Sequence, residues 1–144
     1  MDRREAMMQL HAKGYNCGQI ITALVAEAGG WDESACEGLA GMCESCGEIC
    51  GSLRGGDYCI NKYYRLSAAK EHGISEAEVY DVLSYEEQKE MMLGAKAASA
   101  EMYRRFKDIN GDLFCSNLRG ENMMVTCAKY VNDVAEILIS MFTA

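Results

Sequence analysis

Apolar residues recur every three or four positions along nearly the whole chain, and no segment alternates as a half-buried strand does. Cys17, Ile20, Ile21, Leu24, Val25 and Ala28 fall on one helical face, with Asn16 before them as a good N-cap. A helix over Arg3–Lys13, closed by Gly14, precedes this one, and Gly29-Gly30 ends it. A short helix over Glu33–Ala40 follows, with Asp32 as its cap. The chain then turns through Gly41 and is expected to enter a helix near Cys46, capped by Ser45. Gly47, Gly51 and Gly55 lie four apart on one face of that helix. Three glycines there, each costing about 1 kcal/mol against alanine, call for a close approach by another backbone or by a cofactor.

Asp57 is read as the cap of a further helix, Tyr58 to about His72, closed by Gly73. "SEAE" from Ser75 and "SYEE" from Ser84 are capping boxes. The second opens the longest helix, Tyr85–Ile109, closed by Asn110-Gly111. Along it Met92, Ala95, Ser99, Met102, Phe106 and Ile109 form a coiled-coil-like seam, suited to the core or to a second subunit and hence to a homodimer. "DLFCSNL" makes a short helical turn ended by Gly120. The last helix starts after Asn122 and buries Met123, Met124, Cys127, Tyr130, Val131, Val134, Leu138 and Met141. The joints are short, so neighbouring helices are expected to pack antiparallel. The expected fold is all-α, a compact multi-helix bundle, with residues 1–144 forming a single helical domain.

Composition sharpens this picture. There is no proline, and Ala, Met, Glu and Lys favour helix. A net charge of −8 repels phosphate backbones and anionic lipids, which argues against nucleic acid as a partner. No apolar run reaches the roughly 18 residues of a transmembrane helix, so no membrane insertion is expected. "MDRREAMMQLHAKG" lacks the apolar run of an export signal, and a cytoplasmic location is expected.

Eight cysteines are the chemistry-bearing feature. In a reducing compartment they read as metal ligands or working thiols more readily than as structural disulfides. Four share one setting. Cys17 follows the cap Asn16, Cys46 follows the cap Ser45, Cys115 lies just after Asp112, and Cys127 is in the second turn after Asn122. A helix N-terminus offers free N–H groups and positive partial charge, which favour a thiolate or a negatively charged metal–thiolate cluster. Cys43 and Cys46 form a C-x-x-C pair, and Cys46 and Cys50 are expected as i, i+4 neighbours. That spacing suits a dithiol redox pair or a metal half-site. Covalent c-type haem is not expected, because Gly47 stands where that signature needs histidine. The two histidines, His11 and His72, read as surface residues near helix C-termini, and a His–Cys catalytic pair has little support.

"GYNC" at Gly14–Cys17, "GMCESCGEICGSL" with its core "CGEICG", "FKDINGDLFCSNLRG" around Cys115 and "CAKYV" from Cys127 resemble the redox-active family named for its C_GCAxxG_C_C cysteine pattern. The resemblance runs from about Gly14 into the last helix. It places the motif on Cys46–Gly51, with Glu48 where the family has a small alanine. It implies a small helical redox protein whose four family cysteines match Cys17, Cys46, Cys115 and Cys127. The related split-Soret cytochromes carry haem and an iron–sulfur centre as dimers. The haem does not carry over to this chain, whereas an iron–sulfur centre does. Cys36, Cys43, Cys50 and Cys59 fall outside the family's four.

Three functions fit these residues. The first is electron transfer, with a redox partner protein, through an iron–sulfur cluster on Cys17, Cys46, Cys115 and Cys127, since four thiolates meet its ligand requirement. The second is a thiol–disulfide oxidoreductase in which Cys43, Cys46 or Cys50 is the catalytic thiol. The third is a zinc-stabilised structural or interaction module on a site of four cysteines.

Overall fold

The computed structural model describes residues 2–39, 49–114, 118 and 123–144, and the side chains of residues 38, 39 and 123–127 lie outside that description. Among the described residues seven α-helices follow one another: α1 (Arg3–Ala12), α2 (Cys17–Leu24), α3 (Ala26–Gly29), α4 (Gly51–His72), α5 (Val79–Val82), α6 (Tyr85–Asn110) and α7 (Met123–Thr143). Short 3-10 turns cover Glu33–Leu39 and Glu76–Glu78. The described chain is an all-α bundle, and its one β-type contact is an isolated antiparallel bridge between Ile49 and Phe114.

Local signals set most helix ends. Asn16 and Gln19 close a reciprocal capping box at the start of α2. Ser84 and Glu87 do the same for α6. The Ser75–Glu78 box opens the 3-10 turn before α5. Asp32 accepts the Ser34 N–H, but the turn it opens is 3-10 rather than α. Gly73 and Gly111 end α4 and α6 at φ of +66° and +82°, a left-handed conformation that a side chain would strain.

Two expected helices are in fact one. α4 runs unbroken from Gly51 to His72, through Gly55-Gly56 and Asp57. Asp57 caps nothing. Its carboxylate instead accepts hydrogen bonds from the Ser99 and Tyr103 hydroxyls of α6. The mid-helix glycines are tolerated because packing needs them. A Cβ on Gly55 would stand 2.6 Å from the Gly18 Cα, and one on Gly56 would overlap the Met102 side chain. The close approach expected at the glycine face is therefore made by the backbone of α2. Gly47 lies outside the described residues. The helix also starts later than expected. Ile49 is in the bridge and Cys50 is an extended N-cap, so the i, i+4 helical relation expected for Cys46 and Cys50 does not belong to α4.

Helix direction meets the antiparallel expectation from α4 to α6 and from α6 to α7, and departs from it between α2 and α4. Gly18 meets Gly55 and Thr22 meets Cys59, so α2 and α4 run parallel with a constant offset. Gly56 faces Val134, and Tyr63 stacks on Phe142 with ring centroids 4.2 Å apart, so α7 runs parallel to α4 as well. α6 runs the opposite way, since Tyr64 faces Gly94 while Asp57 bonds Ser99 and Tyr103. Short joints reverse α4 into α6 and α6 into α7, which makes α4 and α7 parallel. α3 and the first 3-10 turn lie between α2 and α4 in the chain. The core among these helices centres on Ile21, Leu53, Ile60, Met102, Phe106, Val134 and Leu138. In the expected α6 seam, Ala95, Met102 and Phe106 are buried and Ser99 bonds Asp57, whereas Met92 and Ile109 stand exposed. Met91 is buried at the N-terminal end instead.

A charged clip joins the end of α4 to the start of α6. His72 Nδ1 bonds the Ala68 carbonyl and Nε2 lies 2.5 Å from the Glu87 carboxylate. The Ala68 carbonyl and then Glu87 hold the His72 pKa above its ordinary value. The Ser84 N–H, followed by His72, holds Glu87 down to about 2. A histidine with a raised folded pKa contributes fully below its unfolded value near 6.5, and that contribution is lost as pH rises through the folded value. The Glu87 contribution is present above 4.5 and is lost as pH falls towards 2. The melting temperature is thus expected to fall on going from pH 6 to pH 9, and His72→Gln should flatten that decline. An unchanged slope in thermal melts of the variant would show that the clip is not the source.

Candidate functional site

The parallel arrangement puts three helix N-termini at one end of the molecule. Cys17 is the first residue of α2 and is partly buried against the core. Cys50 is the N-cap of α4 and is buried. The contact pairs between α4 and α7 carry Cys50 to the level of residues 128–129, one or two positions past Cys127 in the second turn of α7. The contact pairs between α2 and α4 carry Cys17 to the level of Arg54, one turn (about 6 Å) along from Cys50. A fourth segment arrives by the bridge. Cys50 donates its N–H to the Leu113 carbonyl at 2.9 Å beside the Ile49–Phe114 pair, and Cys115 follows Phe114 in the chain. Asp112 Oδ1 turns this segment by accepting the Leu113 and Phe114 N–H groups.

Cys43, Cys46 and Cys115 lie outside the described residues, as does the Cys127 side chain. The expected convergence of the four sulfurs therefore lies outside the described residues, which place only Cys17 and the backbone of Cys127. Among the described residues, no group of three or more His, Cys, Asp or Glu is placed to hold a metal ion. At the mouth of α4, the Cys50 Sγ lies 2.9 Å from the Ser52 hydroxyl, and Ser52 is fully buried. Sequence reasoning passed over Ser52. The signal was there, a hydroxyl two residues after a cysteine at a helix start. Exposed N–H groups and the positive ends of α2, α4 and α7 all favour negative charge on sulfur at this pole.

Two other thiols are set apart by burial. Cys59 is fully buried in α4 and donates to the Thr22 hydroxyl at 3.7 Å, and burial pushes its pKa up to about 12. Cys36 is buried in the first 3-10 turn. Burial raises its pKa too, although a hydrogen bond with Tyr15 opposes the rise. Neither is in a disulfide, and burial disfavours the thiolate at both. His11 is exposed at the end of α1, and His72 is committed to Ala68 and Glu87.

A model of the family described as "Putative redox-active protein (C_GCAxxG_C_C)" matches residues 15–141. No curated protein and no solved structure matches the chain. In the family's pattern, glycine comes four residues after the central cysteine. Cys43 with Gly47 meets that spacing, whereas Cys46 has Cys50 at that distance and Gly51 one residue later. Neither carries the glycine that precedes the cysteine in that pattern, since Met42 stands before Cys43 and Ser45 before Cys46, so the spacing does not choose between them. No helix among the described residues is long and apolar enough to cross a membrane.

Proposed function

We propose that this chain, which belongs to the C_GCAxxG_C_C redox-active family, transfers electrons through an iron–sulfur or other metal–thiolate centre held by Cys17, Cys46, Cys115 and Cys127. The observation that supports this reading is the shared pole of α2, α4 and α7, where Cys17, Cys50 and the backbone of Cys127 lie within about a turn of one another and the Leu113–Phe114 segment arrives by the bridge. Four thiolates bring more negative charge together than a buried site tolerates unaided. N–H groups and helix dipoles aimed at that charge offset part of the cost. When bound, an iron–sulfur centre supplies a one-electron couple whose potential is set by net charge, by N–H bonds to sulfur and by solvent exposure. The partly buried Cys17 edge is the side nearest solvent and the one a redox partner would approach.

Protein purified without air is expected to be coloured, with a broad visible absorption and iron and sulfide in equal amounts. Colourless protein containing one zinc would replace this reading with the structural zinc module. Colourless, metal-free protein with a thiol pair that oxidises reversibly to a disulfide would favour the dithiol reading, to which the Ser52 hydroxyl beside Cys50 lends support. In that reaction one thiolate of Cys43, Cys46 and Cys50 attacks a substrate disulfide, and a second resolves the mixed disulfide.

A further inference from the structure

Away from the cysteine pole, α6 turns a second seam outwards. Tyr85, Lys89, Met92, Lys96, Ser99 and Tyr103 follow one another in steps of four, three, four, three and four, the spacing of a coiled-coil contact line. These six residues, with Asp57 of α4, line an open groove of about 900 Å3. Tyr85, Met92 and Leu93 are 77%, 61% and 57% exposed, a large apolar content for one helix face of a small acidic protein. This line is distinct from the buried one through Met91, Ala95, Met102 and Phe106.

We infer that this face of α6 pairs with the same face of a second copy of the chain, antiparallel about a two-fold axis. The self-match decides the occupant and the direction. In an isologous contact, residue i meets j and j meets i. With the axis beside Leu93, Tyr85 of one copy meets Tyr103 of the other, and Met92 meets Lys96. Lys89 meets Ser99, whose hydroxyl is bonded to Asp57. Each Lys89 ammonium is thereby brought to a carboxylate of the other copy, and the exposed Leu93 of each copy flanks the axis, level with Ala95 of the other. A parallel pairing would set Lys89 against Lys89 and Lys96 against Lys96, four like charges on one seam, which disfavours it. Lysine at such positions weakens a helix pair while fixing its register, so the dimer is modest in affinity. The seam is about 27 Å long from Tyr85 to Tyr103.

Sedimentation of the full chain over a range of concentrations tests this. A reversible monomer–dimer equilibrium is expected. Leu93→Glu, an exposed change that puts two carboxylates beside the axis, should weaken it by about tenfold or more, equivalent to about 1.4 kcal/mol. Lys89→Glu should weaken it as well, and both variants should keep the wild-type circular dichroism. A photo-crosslinking residue at position 85 should give a double-mass product joined at residues 99–103 of the second copy. A chain that stays monomeric, a dimer indifferent to Leu93→Glu, or a crosslink joining 85 to 85 would each overturn the proposal.

Discussion

Cys17→Ser and Cys127→Ser should each abolish metal binding and the visible absorption of anaerobically purified protein. Cys36→Ser and Cys59→Ser should retain both. Cys17 opens α2 and Cys127 lies in the second turn of α7, two helices that start at one pole, and a four-thiolate centre does not survive the loss of a ligand. Cys59 sits behind Thr22 inside the bundle and Cys36 sits behind Tyr15, and burial disfavours the thiolate at both. Binding at such a centre is coupled to folding, so the two ligand variants should also melt roughly 10 °C or more below the wild type. The two buried-thiol variants should lose only what a single small core change costs, about 1 kcal/mol. Cys43→Ser and Cys46→Ser in the same series decide which of the pair is the family ligand. If all six variants bound the same metal with the same melting temperature, scattered thiols would replace the shared centre.

Gly55→Ala is the second large effect. Alanine normally gains about 1 kcal/mol over glycine inside a helix. At Gly55 the new Cβ would stand 2.6 Å from the Gly18 Cα and 3.0 Å from the Gly18 carbonyl oxygen. Both are backbone atoms with no rotamer to change, so α2 must move away from α4. Overpacking of this kind costs about 1–3 kcal/mol and occasionally more. The movement would also part Thr22 from Cys59 and shift Cys17 relative to Cys50. A melting temperature lowered by about 5–10 °C is expected, with metal content reduced in step. Gly94→Ala serves as the comparison. Its Cβ would press on the Tyr64 ring, a side chain that can turn aside. A Gly55→Ala protein as stable as Gly94→Ala would show that the α2–α4 contact is not tight.

Helix ends were legible in the sequence because their causes are local. The boxes at Asn16, Ser75 and Ser84 each act within three residues, and the left-handed glycines at 73 and 111 act within one turn. The choice of Cys17 and Cys127 as residues at helix starts came from the same short-range signals. The all-α class followed from a periodicity that needs no partner to be read.

What the tertiary structure decided are the cases in which a distant residue outweighed a local rule. Asp57 reads as a cap, yet hydroxyls from Ser99 and Tyr103, more than forty positions along, claim its carboxylate and let α4 run through. Gly55 reads only as a site of close approach by an unnamed partner, and the packing shows that the partner is the Gly18 backbone, while Met102 fills the space at Gly56. Met92 and Met91 are adjacent and chemically identical, and only the packing of α6 on α4 determines which one faces solvent. Helix direction is likewise absent from any window of sequence. The parallel run of α2, α4 and α7 arises from pairings 37 and 78–79 residues apart, and a local pattern carries no information at that range. The sequence determined that Cys17 and Cys127 lie near helix N-termini, whereas the place of Cys50 at the start of α4 came only with the structure. The long-range packing determined that those N-termini share one pole, which gives them the chance to act together.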